Sequence, residues 1–97
     1  MKKPVCLVEG VLHPGKHYSV DAAKFAAMRL AIHSVLPAFA PGLTVAELGA
    51  AVQAHLPQDL FPGGATAGWW VKCVQLDQEA KGVILRTRST PLRLYLA

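Results

Sequence analysis

The chain has only two cysteines, Cys6 and Cys73, far apart and without metal-type spacing. That excludes a disulfide-built scaffold and points to free thiols in a reducing cytoplasm. Long apolar runs are missing too. Val5 to Val8 meets Glu9 too soon for a signal-peptide core, and the uncharged stretch Leu30 to Ala46 is interrupted by Pro37 and Pro41. A spanning helix needs roughly 20 apolar residues and tolerates such prolines badly, so no membrane segment is expected. There are no repeats, low-complexity stretches or linkers, and 97 residues suit a single domain over 1–97.

Signatures of catalysis are equally scarce. No serine or cysteine has a base beside it in a motif, and no carboxylate pair is set by spacing, so no enzyme is expected. Four histidines raise the question of a metal. His13 and His17 lie near Cys6 but straddle a Pro-Gly turn, whereas zinc sites cluster four ligands more tightly. His33 and His55 stand alone in helical segments. Neither a metal nor another cofactor is expected. The loop GGATAG at 63–68 opens a helix, but without a Lys-Ser/Thr tail or a preceding strand it is not a nucleotide-binding P-loop. Its glycines suit a tight backbone path, with Thr66 as helix cap and free amides able to meet a phosphate.

What the chain does have is apolar content of 53%, much of it alanine, and a net charge of +4. Alanine builds helices but adds little buried area, so some apolar surface should be left over for a homodimer to cover. The charge is uneven. Residues 1–37 carry +3, residues 38–80 carry −3 and residues 81–97 carry +4 with no acid at all. Such a basic end suits a polyanion, and equally suits an edge strand defended against aggregation.

The periodicity predicts a short strand at Val5 to Val11, a turn at His13-Pro14-Gly15-Lys16 and a first helix from an Asp21 cap to Leu36. Phe25, Met28, Ile32, Val35 and Leu36 form its inner face. A second helix opens with the capping box Thr44-x-x-Glu47, Leu43 stapling onto Leu48, and buries Leu48, Ala51, Val52, His55 and Leu56 before Pro57. A third helix runs from Thr66 to Lys81. Its wheel gathers Trp69, Cys73, Leu76 and Ala80 inward, with Trp70 and Val74 at the margin, and turns Lys72, Gln75, Gln78 and Glu79, together with Val71, to the opposite side. Asp77, at the edge, calls for a lysine or arginine partner. After Gly82 comes a hairpin with its turn at Ser89-Thr90-Pro91. Leu85 and Thr87 are expected inward, and Arg86, Arg88 and Arg93 outward on one face.

Strand, three helices and hairpin in that order resemble the winged-helix family, and Gly82-Val83-Ile84 resembles the Gly-Leu-Ile that commonly joins its recognition helix to its wing. Nearly the whole chain is also similar to a small family of uncharacterised bacterial proteins, through HPGK…VDAAK at 13–24 and FPGGATAGWWVK…QLD…AKGVI at 61–84. The resemblance implies an α+β, winged-helix-like fold. One departure is the link of about twelve residues between helices 2 and 3, where a helix-turn-helix uses three or four.

The function this implies is binding of double-stranded DNA. Lys72, Gln75 and Gln78 would enter the major groove, and Arg86, Arg88 and Arg93 would grip the backbone, with Thr66 at the helix start near a phosphate. The same helix face also reads as ordinary solvated surface, and Glu79 would repel phosphate. Trp69 and Trp70 read as core and core margin rather than as a base-stacking platform. The alternative function is a protein-interaction module of the same fold, docking through Trp70 and the alanine-rich surface.

Overall fold

The structure, a computed structural model, describes residues 4–10, 12, 13 and 15–97. Val11 and Pro14, parts of the predicted strand and turn, and the charges of Lys2 and Lys3 fall outside the described residues. The chain begins with an antiparallel hairpin, β1 (Val5–Glu9) on β2 (His17–Asp21), in register from Val5 opposite Asp21 to Glu9 opposite His17. The second of these strands is not anticipated by the sequence reading. Asp21 then starts α1 (Ala22–Val35), its carboxylate accepting the amides of Ala23 at 2.9 Å and Lys24 at 3.1 Å. Met28, Ala31, Ile32 and Leu36 are buried, and Phe25 and Val35 pack against them, as the spacing requires.

A short strand β3 (Leu43–Thr44) leads into α2 (Val45–Val52), where the capping box forms in full. Glu47 N–H donates to Thr44 Oγ1 at 3.1 Å, and Thr44 N–H donates back to Glu47 Oε1 at 2.8 Å. The segment then tightens into a 3-10 turn over Gln53–His55. That turn swings His55 into solvent, a correction to its predicted inward position, while Leu56 is buried.

The third helix, α3 (Ala67–Ala80), ends on Gly82 at φ 74°. Val83 N–H donates to Gln78 O at 2.9 Å and Gly82 N–H to Glu79 O at 3.1 Å, the paired bonds of a glycine-terminated helix. The chain closes with β4 (Ile84–Thr87) and β5 (Arg93–Leu96). β3 and β4 flank β5 in an antiparallel sheet of order β3-β5-β4. The fold is therefore α+β and winged-helix-like, with an extra N-terminal hairpin. The approach of the loop before β3 to β5 needs a glycine. Gly42 has φ +81°, and a Cβ there would lie 1.9 Å from Leu94 O.

Three expectations about the core need correcting: Trp69 as core, Trp70 as its margin and Val71 on the solvent side. Val71 is 3% exposed. Trp69 is 55% exposed, whereas Trp70 is 7% exposed and meets the Phe61 ring edge-on at 6.5 Å. Helix 3 is thus rotated from its predicted setting. The reason is how much of it is covered: α1, α2, β1 and β4 all pack on it, and eight of its fourteen residues are buried. With so wide a buried arc, the tightest apolar cluster on the wheel need not lie at its centre. The long link between α2 and α3 is also part of the core, because it folds back on Pro57 O and sinks Phe61 to 0% exposure.

Candidate functional site

The outward arc of α3 carries Trp69, Lys72 and Leu76, one helical turn apart in succession. Lys72 is exposed, as expected for a groove-reading residue. Gln75 and Gln78 are not: each is 4% exposed. Gln75 donates to Glu79 Oε2 at 3.1 Å. Gln78 bridges inward, donating from Nε2 to Asp77 Oδ2 at 3.1 Å and leaving Oε1 to accept from His33 Nε2 at 3.1 Å. Gln78 is spent at both ends and Gln75 is held through its amide nitrogen, so the predicted base-reading pair is engaged within the protein.

Asp77 anchors that network. It is fully buried, and Lys81 Nζ donates to its Oδ2 at 2.9 Å, the lysine partner the sequence called for. Its other oxygen accepts the Glu9 amide at 2.9 Å, tying β1 to α3. A buried carboxylate persists only when so compensated.

The three wing arginines do not share a face. Arg86 lies opposite Leu94 and Thr87 opposite Arg93, so strand alternation puts Arg86 and Arg93 on opposite sides of the sheet. Ile84 and Leu94 face the core, and Leu85, expected inward, is 40% exposed. Arg86 forms a two-point pair with Glu79, through Nε to Oε1 and through Nη2 to Oε2 at 2.9 Å. That carboxylate raises the guanidinium pKa above its ordinary value. Arg93 donates to Gly42 O at 2.9 Å and stands 3.4 Å from Glu47. Arg88 is exposed and has no carboxylate partner among the described residues. Of the predicted backbone-gripping set, only Arg88 keeps its charge uncommitted.

Thr66 is exposed, with φ 61°, and makes no side-chain cap; its hydroxyl donates to Ala65 O at 2.6 Å instead. The left-handed backbone turns the hydroxyl away from the amides it was expected to cap. In the loop before it, the amides of Gly63, Gly64 and Ala65 are already bonded to Gln58, Phe61 and Pro62.

What the fold assembles around α3 is a different surface. Leu76 lines three adjoining hollows. One, of about 200 Å³, is walled by Tyr18, Trp69, Lys72 and Cys73. A second, of about 270 Å³, is walled by Gly10, His13, Lys16 and Tyr18. The third, of about 290 Å³, runs toward the wing between Leu12, Val45, Lys72, Gln75, Arg86 and Leu92. Tyr18 O–H donates to Cys73 Sγ at 3.6 Å, and this bond, with burial, pushes its pKa up to about 12. Burial pushes the Cys73 thiol up as well, which keeps it unreactive. Sequence reasoning missed Tyr18, Leu12 and Val45 as surface-forming residues and assigned Trp69 and Leu76 to the core. The alternation in His17-Tyr18-Ser19-Val20 was the available sign of a strand that would bring Tyr18 beside α3.

Among the described residues, no three His, Cys, Asp or Glu side chains converge as a metal would require, and His17 faces Glu9 at 3.5 Å. No described helix is long and apolar enough to cross a membrane. Comparison with curated proteins gives no match, and neither does comparison with solved structures. A family model does match, over residues 6–94, and its description is a family of unknown function, DUF6958. The chain belongs to that family.

Proposed function

We propose that this protein is a winged-helix-like protein-interaction module whose third helix docks a polypeptide where related folds dock DNA. The observation that carries the reading is the outward arc of α3. It offers an exposed indole, a half-buried leucine and one lysine, while both glutamines are 4% exposed and bonded to carboxylates of the same helix. Base edges are read by hydrogen-bonding groups, whereas exposed aromatic and aliphatic side chains around a few polar groups suit protein partners. The exposed apolar side chains Leu12, Tyr18 and Val45 lie along the hollows beside this arc.

Duplex DNA binding is the second reading. It draws on the winged-helix-like topology and on the uncommitted charges of Lys72 and Arg88. The two readings separate by fluorescence anisotropy with a random-sequence duplex at about 50 and 200 mM salt. A protein neutralising 6–10 phosphates loses about 10³–10⁵-fold in affinity over that range. The proposed module shows at most weak binding with a shallow salt slope. Tight duplex binding with a steep slope, lost in Lys72→Ala and Arg88→Ala, would overturn it.

A further inference from the structure

We infer that the groove centred on Leu76 accepts an acidic amphipathic segment of another protein, apolar anchors in its hollows and carboxylates toward Lys72 and Lys16. This deepens the interaction-module reading and rests on it. Charge is the first argument. Among the described residues no carboxylate lines the three hollows, while Lys72 lines two of them and Lys16 the other; Arg86, at the wing end, is already neutralised by Glu79. The remainder of the molecule explains why. Five of its six acids are engaged internally: Glu9 with the Gly15 amide, Asp21 at the α1 cap, Glu47 at the α2 cap, Asp77 with Lys81 and Glu79 with Arg86. Lys16 and Lys72 have no carboxylate partner among the described residues. Both are solvated, and their charge is free to meet a partner's carboxylates.

Shape is the second argument. Each hollow, at about 200–290 Å³, is at or below the small end of the roughly 300–1,000 Å³ of small-molecule sites and is large enough for one anchoring side chain. Three of them meeting at one leucine suit the successive anchors of a single segment. A second copy of this chain fits poorly. A twofold contact through this groove would set its cations against the same cations, with no carboxylate on either side.

The test is selection of a phage-displayed random dodecapeptide library on the intact protein, followed by anisotropy titration of the enriched peptides. Enriched peptides should combine Asp or Glu with aromatic or aliphatic residues. Their affinity should fall at least tenfold in Lys72→Glu and in Trp69→Ala, and be unchanged in Arg29→Glu, whose side chain is exposed on α1 outside the groove. Both groove positions are solvent-exposed, so the variants should fold, which circular dichroism verifies. Neutral or basic peptides that still depend on Trp69 would overturn the acidic partner and leave polypeptide docking intact. An absence of enrichment, or acidic peptides indifferent to both groove substitutions, would overturn the inference. So would a dimer in light scattering that Trp69→Ala dissociates, or oligothymidylate binding that the same substitution abolishes.

Discussion

Replacing Trp70 by alanine tests the setting of α3, and with it which residues face a partner. Trp70 is 7% exposed and packs edge-on against both Phe61, at 6.5 Å, and Trp69, at 4.9 Å. A buried tryptophan removes roughly 200 Å² from water, worth ~5 kcal/mol at about 25 cal/mol per Å². The unfolded chain already hides part of that area, which brings the expected loss to about 3–5 kcal/mol. A domain of this length has roughly 5–15 kcal/mol in total, so the variant should be close to unfolding. Trp69, at 55% exposure, should cost only about 1–2 kcal/mol on the same scale. Urea titration followed by far-ultraviolet circular dichroism ranks the two without depending on tryptophan emission. Acrylamide quenching gives an independent reading: Trp69 should be quenched readily, and Trp70, alone in Trp69→Phe, should be protected. Trp69→Ala proving as destabilising as Trp70→Ala would refute the helix setting and the interaction face drawn from it.

Gly42→Ala should cost several kcal/mol and sharply reduce soluble yield, because its Cβ would fall 1.9 Å from Leu94 O at φ +81°. Gly63→Ala, at φ +61° but with nothing within 4 Å, should show only the left-handed backbone penalty of about 1–2 kcal/mol in the same urea titration. The Tyr18 phenol is raised from 10.0 to about 12, so the folded state holds its proton where the unfolded state has lost it. Its contribution is therefore fully present below pH 10 and lost as pH rises toward 12; urea midpoints of the wild type should fall more steeply across that window than those of Tyr18→Phe.

Local sequence determined the features that depend on a few neighbouring residues. Asp21 caps α1 because a short carboxylate before a helix reaches the free amides two and three residues on. Thr44 and Glu47 close their box, and Gly82 stops α3, for reasons equally local. The Asp77–Lys81 pair is one helical turn and needs nothing else. The order of helices and wing followed from such signals. The candidate site did not, because its residues are chosen by what covers them. Packed by four elements, α3 buries eight of its fourteen residues, and its wheel cannot say which part stays bare when tryptophan, cysteine, valine and leucine surround most of it. The unanticipated β2 strand helps decide this, since its hairpin occupies the flank of α3 at Cys73 and Asp77 and leaves Trp69 outside. Strand register acted in the same way on the wing. Ile84 and Leu85 are both apolar, so either phase of the strand could have faced inward. Pairing with β5 selected the phase that buries Ile84 and sets Arg86 beside Glu79, and Arg93, on the other face, turns toward Glu47. Side-chain chemistry was written in the sequence, but which groups remained available to a partner was decided only when α1, the N-terminal hairpin and the wing closed around α3.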